Sequence, residues 1–418
     1  MTQLSDDCFA AAAPLMSVAE ALSRIREIVR PIAGAEPVAL RAAAGRILAA
    51  DVVAPFAVPP HDNAAVDGYA VRFADLAAAG ETRLRLAGRA AAGHPFAGTV
   101  GAGEAVRVFT GAVMPAGADT AFMQEDCCED GGAVIVPAGI ARGANRRRAG
   151  EDVAAGATVL ARGHRLKAPD LGLAASVGCE ALTVYRRLRV AVFSTGDELR
   201  EPGVALAPGA IYDANRHVLM AFLESLGCVV TDLGILPDRA EAVRAALAEA
   251  ARDHDLLFTS GGVSVGEEDH VKAAVRALGR LHFWRIAVKP GRPLALGQVA
   301  GVPFVGLPGN PVAAVVTFLR LARPLVLGLA GARVRPPALY RVRAGFAYHK
   351  KPHRREWLRA RLVRAEDGVP TAETFPRQGS GILSSITESD GLVELPEHLT
   401  YVEAGSLVDF LPFSEVET

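Results

Sequence analysis

The chain has 418 residues, enough for two or more domains that each bury a core of their own. Its 45 basic and 46 acidic residues leave a formal charge of -1, so no global charge recruits nucleic acid or an anionic membrane, and any anion site must be local. Half of the residues are hydrophobic, yet no uninterrupted apolar run reaches the roughly 18 residues that a membrane-spanning helix needs.

The N-terminus carries Asp6 and Asp7 before a short apolar patch and lacks the basic start of a secretory signal, which leads us to expect a soluble, cytoplasmic protein. Residues 17–50 read as helical, with Val18, Ala21, Leu22, Ile25 and Val29 at helical spacing and Ser17 placed as a cap. From Asp51 to about residue 140, proline and glycine separate short apolar runs at 84–86, 105–109 and 133–136, the pattern of a small β-rich lobe. Two stretches of it carry chemistry. In PPHDNAAVDGYAVR (59–72), Asp67 beside Gly68 turns the chain and offers a carboxylate, or is simply a hairpin turn; His61 reads as a loop histidine, since nothing nearby orients it. In VFTGAVMPAGADT (108–120), Thr110 and Gly111 follow a strand and could present a hydroxyl and an N–H to an anion.

Residues 141–180 bring Arg-rich turns, with a solvated charge run at 145–152, and a helix over 168–177. Packed with the first helices, this segment would complete one discontinuous helical domain (1–50 and 141–180) with the lobe (51–140) inserted in it. Region 181–331 is the most legible. Strands at 189–194, 228–236, 256–259 and 303–307 alternate with helices at 215–226, 238–251 and from about Asn310, with Pro311 suited to a first helical turn. That alternation predicts a mostly parallel sheet covered on both faces, with ligands at the carboxyl ends of its strands. Short alternating runs after residue 338 predict a small C-terminal β domain.

Three Gly-rich turns follow strands in that region: 194–198 (STGDE), 259–272 (TSGGVSVGEEDHVK) and 307–311 (LPGNP). In a parallel sheet all three share one edge. The second combines bare glycines, able to bring backbone N–H groups close to phosphates, with Glu268 and Asp269, able to hold Mg²⁺; read alone, it is equally an acidic first helical turn that suits the helix dipole. Between the last two turns, FWRIAVKPGRP supplies Arg285, Lys289 and Arg292 as cations for an anion, or as charges on an exposed edge. No GxGxxG follows a strand and no GxxxxGK[ST] occurs, so dinucleotide and Walker-type readings fall away. The five cysteines, at 8, 127, 128, 179 and 228, have neither CxxC nor metal-ligand spacing. A soft metal handled here would take its sulfur from elsewhere.

Taken together these motifs resemble the MoeA family of molybdopterin molybdenumtransferases, related to the C-terminal domain of gephyrin. PPHDNAAVDGYAVR is similar to the family's PxxxxSAMDGYA signature, and FTGAVMPAGADT, NRRRAGEDV, FSTGDEL, IYDANRHVL, TSGGVSVGEEDHVK, KPGRP and GLPGNPVAA follow in family order over nearly the whole chain. The resemblance implies a multidomain α/β protein: an elongated helical domain from two segments, an inserted β lobe, a three-layer α/β molybdopterin-binding domain (181–331) and a C-terminal β-barrel-like domain (338–418). It also implies a homodimer whose cleft lies between the α/β domain of one subunit and the lobe of the other. The implied reaction inserts molybdate into adenylylated molybdopterin and releases AMP with Mg²⁺, the substrate's dithiolene supplying the sulfur.

By motif, the resemblance carries catalytic roles to Asp67, Glu198 and Asp269, with Glu198 and Asp269 as Mg²⁺ ligands. It carries substrate contacts to Thr110, Asp238, Ser260, Gly261, Gly262, Pro308 and Gly309, to Arg285, Lys289 and Arg292, and to Arg355, Ser380 and Ser384. Arg285 and Arg292 stand where lysine is common, which keeps the charge and changes the geometry; Asn63 and Val66 replace the usual Ser and Met. Transient contacts with the molybdopterin adenylyltransferase and with acceptor-side cofactor proteins are implied, and neither nucleic acid nor membrane. Two alternatives stand beside this one. The α/β domain alone also resembles the adenylyltransferase, which lacks a segment like 51–180. A non-catalytic scaffold of the gephyrin type would have no need of acids at 67, 198 and 269.

Overall fold

The computed structural model describes residues 15–262, 270–365 and 367–417. Glu268 and Asp269 therefore lie outside the described residues, as do Asp6, Asp7 and Cys8.

Arg189–Thr195 is a strand because Val190, Ala191, Val192 and Phe193 are all fully buried, alternate residues serving opposite faces of one sheet. Val229–Leu236, Arg189–Thr195, Leu256–Ser260 and Val302–Leu307 lie side by side in parallel, as expected, and Pro293–Val299 and Gly279–Arg285 extend the sheet antiparallel. On one face Val190, Val192, Phe258 and Val305 pack with Ala214–Ser225 and the apolar run from Pro311. On the other, Ala191, Phe193, Leu257 and Phe304 pack with Ala240–Asp253 and His270–Leu278. Pro311–Leu329 is long and apolar enough, by length and composition, to cross a membrane, but 83% of that window is buried inside the protein. It is the central core helix, with one π-helical stretch at Phe318–Ala322.

The first helix is shorter than expected and has a different partner. Val18–Ile28 is capped by Ser17 Oγ, which accepts from Glu20 N–H at 3.1 Å, and it stops where Val29 turns extended ahead of Pro31. Residues 35–39 are not helical but form the strand Ala35–Ala39, paired with Ala181–Tyr185. The buried stripe Val18, Ala21 and Ile25 belongs to the α/β core with Leu325, Val326 and Leu329, and Ile32 N–H donates to the Leu329 carbonyl at 3.0 Å. The expectation that this helix packs with residues 141–180 is thus corrected: an amphipathic stripe says that a face is buried, not what covers it. A separate core joins Leu48 and Val52 to Leu166, Val177 and Val184, around the helix Ala168–Ser176.

The lobe is a six-stranded sheet, ordered Thr120–Met123, Gly68–Val71, Glu104–Val108, Glu81–Ala90, Ala133–Pro137, Cys128–Asp130. Its two cores, one including Ala70, Val106 and Ala121 and the other Tyr69, Phe122 and Val134, are drawn from residues 64–140. At the C-terminus, Tyr340–Ala344, Leu407–Pro412, Gly391–Leu395, Arg355–Arg364 and Pro370–Thr374 pair in a ring, a closed five-stranded barrel. Val288–Lys289 pairs in parallel with the start of Arg355–Arg364 and fastens the barrel to the α/β domain.

Candidate active site

Three strands end level at one edge of the α/β sheet, because Ser194 is in register with Ser260 and Ser260 with Leu307. The turns beyond them are shaped for close approach. Gly261 and Gly262 have φ of +88° and +63°, and a Cβ on Gly262 would lie 2.6 Å from Val271 Cγ2. Ser260 Oγ donates to the Pro308 carbonyl at 3.0 Å and accepts from Asn215 Nδ2 at 2.8 Å; the same amide donates to the Gly309 carbonyl at 2.7 Å. The structure therefore brings Ser260, Gly261, Gly262, Pro308 and Gly309 together. Glu198 is exposed at this edge, its carboxylate lying over Gly196, where a Cβ would stand 2.6 Å from Oε2. Asp238 flanks the same turn and accepts from Thr195 Oγ1 at 3.0 Å.

In the lobe, Gly68–Val71 lies between Glu104–Val108 and Thr120–Met123, and Asp67 sits exposed at its start. Asp67 Oδ1 accepts from both Thr110 N–H (2.7 Å) and Thr110 Oγ1 (2.8 Å). The backbone bond, then the hydroxyl, hold the Asp67 carboxyl below the usual aspartate range, and Arg107 adds to the effect. Both Thr110 donors that the sequence offered to an anion are taken up here by the Asp67 carboxylate.

Of the basic motif, Arg285 is half-buried and its carbonyl accepts from Met16 N–H at 2.9 Å, while Arg292 is exposed. Lys289 Nζ turns toward the barrel, donating to Tyr348 Oη at 3.2 Å, 3.6 Å from the Glu356 carboxylate. Arg355 is spent on two carboxylates of the C-terminal domain, Glu394 (2.7 Å) and Glu397 (3.0 Å). Arg359, four residues on, is the arginine that reaches the Ser380 loop. Only 1% exposed, and pulled down to about 10 by burial, it donates to Ser385 Oγ at 2.9 Å and to the Gly379 carbonyl at 3.0 Å. The Ser380 carbonyl in turn accepts from Val312 N–H at 2.9 Å, which brings Ser380 to the α/β edge; Ser384 is exposed and opens the short helix Ser384–Thr387.

Among the described residues no three His, Cys, Asp or Glu side chains gather as a metal site. The donors at the edge nonetheless suit a hard dication, which takes oxygen ligands, keeps several waters and needs only one or two carboxylates. Glu198 is such a carboxylate, exposed at the edge with its oxygens over Gly196.

Comparison with known proteins agrees with this layout. Residues 16–178 match the MoeA N-terminal region (domain I and II), residues 191–328 a probable molybdopterin binding domain, and residues 341–413 the MoeA C-terminal region (domain IV). A molybdopterin molybdenumtransferase of Haemophilus influenzae is 39% identical over 379 residues, covering 90% of this chain and 93% of its own. The chain belongs to the MoeA family. Another MoeA-family relative, molybdopterin molybdenumtransferase 2 of Mycobacterium tuberculosis, is 36% identical over 93% of this chain and 96% of its own. The crystal structure of the molybdopterin biosynthesis moeA protein of Pyrococcus horikoshii superposes with a TM-score of 0.81 at 28% identity, covering 96% of this chain and 100% of that one. The MoeA-specific matches lie on both sides of the α/β domain, so family membership rests on more than that domain alone. Two residues at this MoeA edge escaped the sequence reading. Asn215 lies within the quoted IYDANRHVL, but its work is tertiary, and no local pattern announces it. Arg359 is one arginine among several in HRREWLRAR, and only burial separates it from Arg355.

Proposed function

We propose that the chain is a molybdopterin molybdenumtransferase of molybdenum cofactor biosynthesis, inserting molybdate into adenylylated molybdopterin with Mg²⁺-dependent release of AMP. The observation that carries this reading is the single edge on which three Gly-rich turns meet, two of them joined by Asn215 and the third bearing the Glu198 carboxylate. Bare turns at Gly261, Gly262 and Gly309 let backbone groups approach a nucleotide's phosphates, and Ser380 closes the same rim from the barrel. Mg²⁺, when bound, would offset the charge that grows on the scissile phosphoanhydride, with Glu198 and Asp269 as its protein ligands. Asp67, held by two bonds from Thr110, is a fixed negative charge able to orient the substrate. The described cysteines, at 127, 128, 179 and 228, are free and form no metal-binding cluster with His, Asp or Glu among the described residues, consistent with a substrate that brings its own sulfur.

The same reading makes the working unit a cytoplasmic homodimer. The lobe keeps its own two cores, so a second copy can set its Asp67 against the Glu198 edge of the first. Transient contacts with the adenylyltransferase that supplies the substrate and with cofactor acceptors follow from the chemistry. Purified protein given adenylylated molybdopterin, molybdate and Mg²⁺ is expected to release AMP and form molybdenum cofactor. Substrate left intact, with no AMP, refutes the reading; adenylylation of molybdopterin from ATP would favour the adenylyltransferase instead.

A further inference from the structure

Arg216 is 1% exposed, yet its guanidinium meets three carboxylates from three chain segments. Nε donates to Asp213 at 2.9 Å, Nη2 to both oxygens of Glu201 at 2.5 Å, and Nη1 to Asp232. Each partner lies just along the chain from a residue of the candidate site. Glu201 follows Glu198 by three positions, Asp232 lies on the strand that leads to Asp238, and Asp213 caps the helix that begins with Ala214 and Asn215. One buried fork thus cross-links the segments bearing Glu198, Asp238 and Asn215. A packed apolar side chain would hold these elements without the desolvation cost of an ion cluster, so the fixed directions of the guanidinium are what the cluster adds. Asn215 passes that geometry on. Both of its amide hydrogens are committed, one to Ser260 Oγ and one to the Gly309 carbonyl, so its amide sets the gap between the Ser260–Gly262 turn and the Pro308–Asn310 turn.

We infer that Asn215 and Arg216 are positioning residues for the nucleotide part of the substrate: Asn215 spaces the two turns that receive it, and Arg216 locks Asn215 to the segments of Glu198 and Asp238. The inference deepens the proposed function and rests on it for the identity of the substrate. Asn215→Asp keeps the shape but replaces the two donors with a carboxylate oxygen facing the Gly309 carbonyl; Arg216→Lys keeps the charge and loses the three-way fork. In the full-length protein, Asn215→Asp is expected to raise KM for adenylylated molybdopterin and the Kd for AMP, measured by calorimetry, about tenfold or more, with kcat within about threefold of wild type and little change in Tm. Arg216→Lys should move KM and Kd in the same direction by a smaller factor. Should either variant fail to fold, Asn215→Ala, which removes the amide without adding charge, carries the same expectation. Wild-type KM and Kd in a folded Asn215 variant would overturn the inference while leaving the transferase reading intact. AMP binding that weakens in the variants of a chain without insertase activity would refute only the transferase reading. A wild-type chain that neither binds nor releases AMP overturns both.

Discussion

Asp67 and Thr110 form a unit in which an exposed carboxylate accepts two bonds from one residue. Because the folded pKa of Asp67 is lowered, whatever the charged form contributes to stability is present above the unfolded value of about 4 and is lost as the pH falls through the folded one. Activity should therefore keep its Asp67-dependent part throughout mildly acidic solution. Asp67→Asn is expected to cut kcat about 100-fold or more with Tm almost unchanged, since the side chain is exposed; steady-state kinetics beside thermal melts test this. Thr110→Val removes one of the two bonds, and the Asp67 pKa, followed by NMR titration, should climb part of the way back. The turn at Asp67 was legible in the sequence because Asp-Gly marks a turn, whereas the role given to its carboxylate came from the family resemblance. The direction of the Thr110 donors was not legible, because hydrogen-bond partners 43 positions apart are chosen by strand pairing. Asn215 and Arg359 were hidden for the same reason: each acts on backbone or hydroxyl groups brought near only by the finished fold.

Among elements, the strand Gly68–Val71 shows how tightly a candidate catalytic residue can be set by its neighbour. A Cβ on Gly68 would sit 1.7 Å from the Phe122 carbonyl oxygen, a backbone atom that cannot step aside without breaking the pairing with Thr120–Met123. Gly68→Ala should destabilise the protein by about 3 kcal/mol or more and cost activity by displacing Asp67, as read by denaturant unfolding and by assay. At the amino end of the parallel strands, burial pushes the Asp255 carboxyl up, but bonds from Arg186 and Arg189 outweigh it and hold it far below the usual range. Asp255→Asn is therefore expected to lower stability by about 1–2 kcal/mol near neutrality, the low end because both arginines are partly exposed and screened, and to leave KM unchanged. The difference should begin to shrink as the pH falls below the unfolded value of about 4 and disappear only as it falls through the far lower folded one. These strands could be read from sequence because a doubly covered parallel sheet writes itself as unbroken apolar runs between capped helices. The first helix could be found but not docked, and the stretch 35–39 lost its helical reading to Gly34 and Pro37.

Across the whole molecule, Glu394 of the barrel ties the domains together: it accepts from Arg320 of the central core helix at 2.7 Å, from Arg355 at 2.7 Å and from Trp357 Nε1 at 2.8 Å. Glu394→Ala would leave the buried Arg320 without that carboxylate, and a loss of about 3–5 kcal/mol in unfolding free energy is expected, with the barrel and the α/β domain melting further apart in calorimetry than in the wild type. If the working site spans two copies, mixing Asp67→Ala with Glu198→Ala protein should restore roughly a quarter of wild-type activity, because half of the randomly formed dimers hold one intact site of two. Activity that stays at the level of the single variants would mean that each chain builds its site alone. The docking of Val18–Ile28 onto the far end of the core helix, finally, bears on dissection of the chain. A fragment cut at the limits of the molybdopterin-binding match would leave behind, more than 150 positions upstream, the helix that covers Leu325 and Val326. Such a piece would bare a greasy strip to water and clump, so the central unit, although it looks modular along the sequence, is not separable with two cuts.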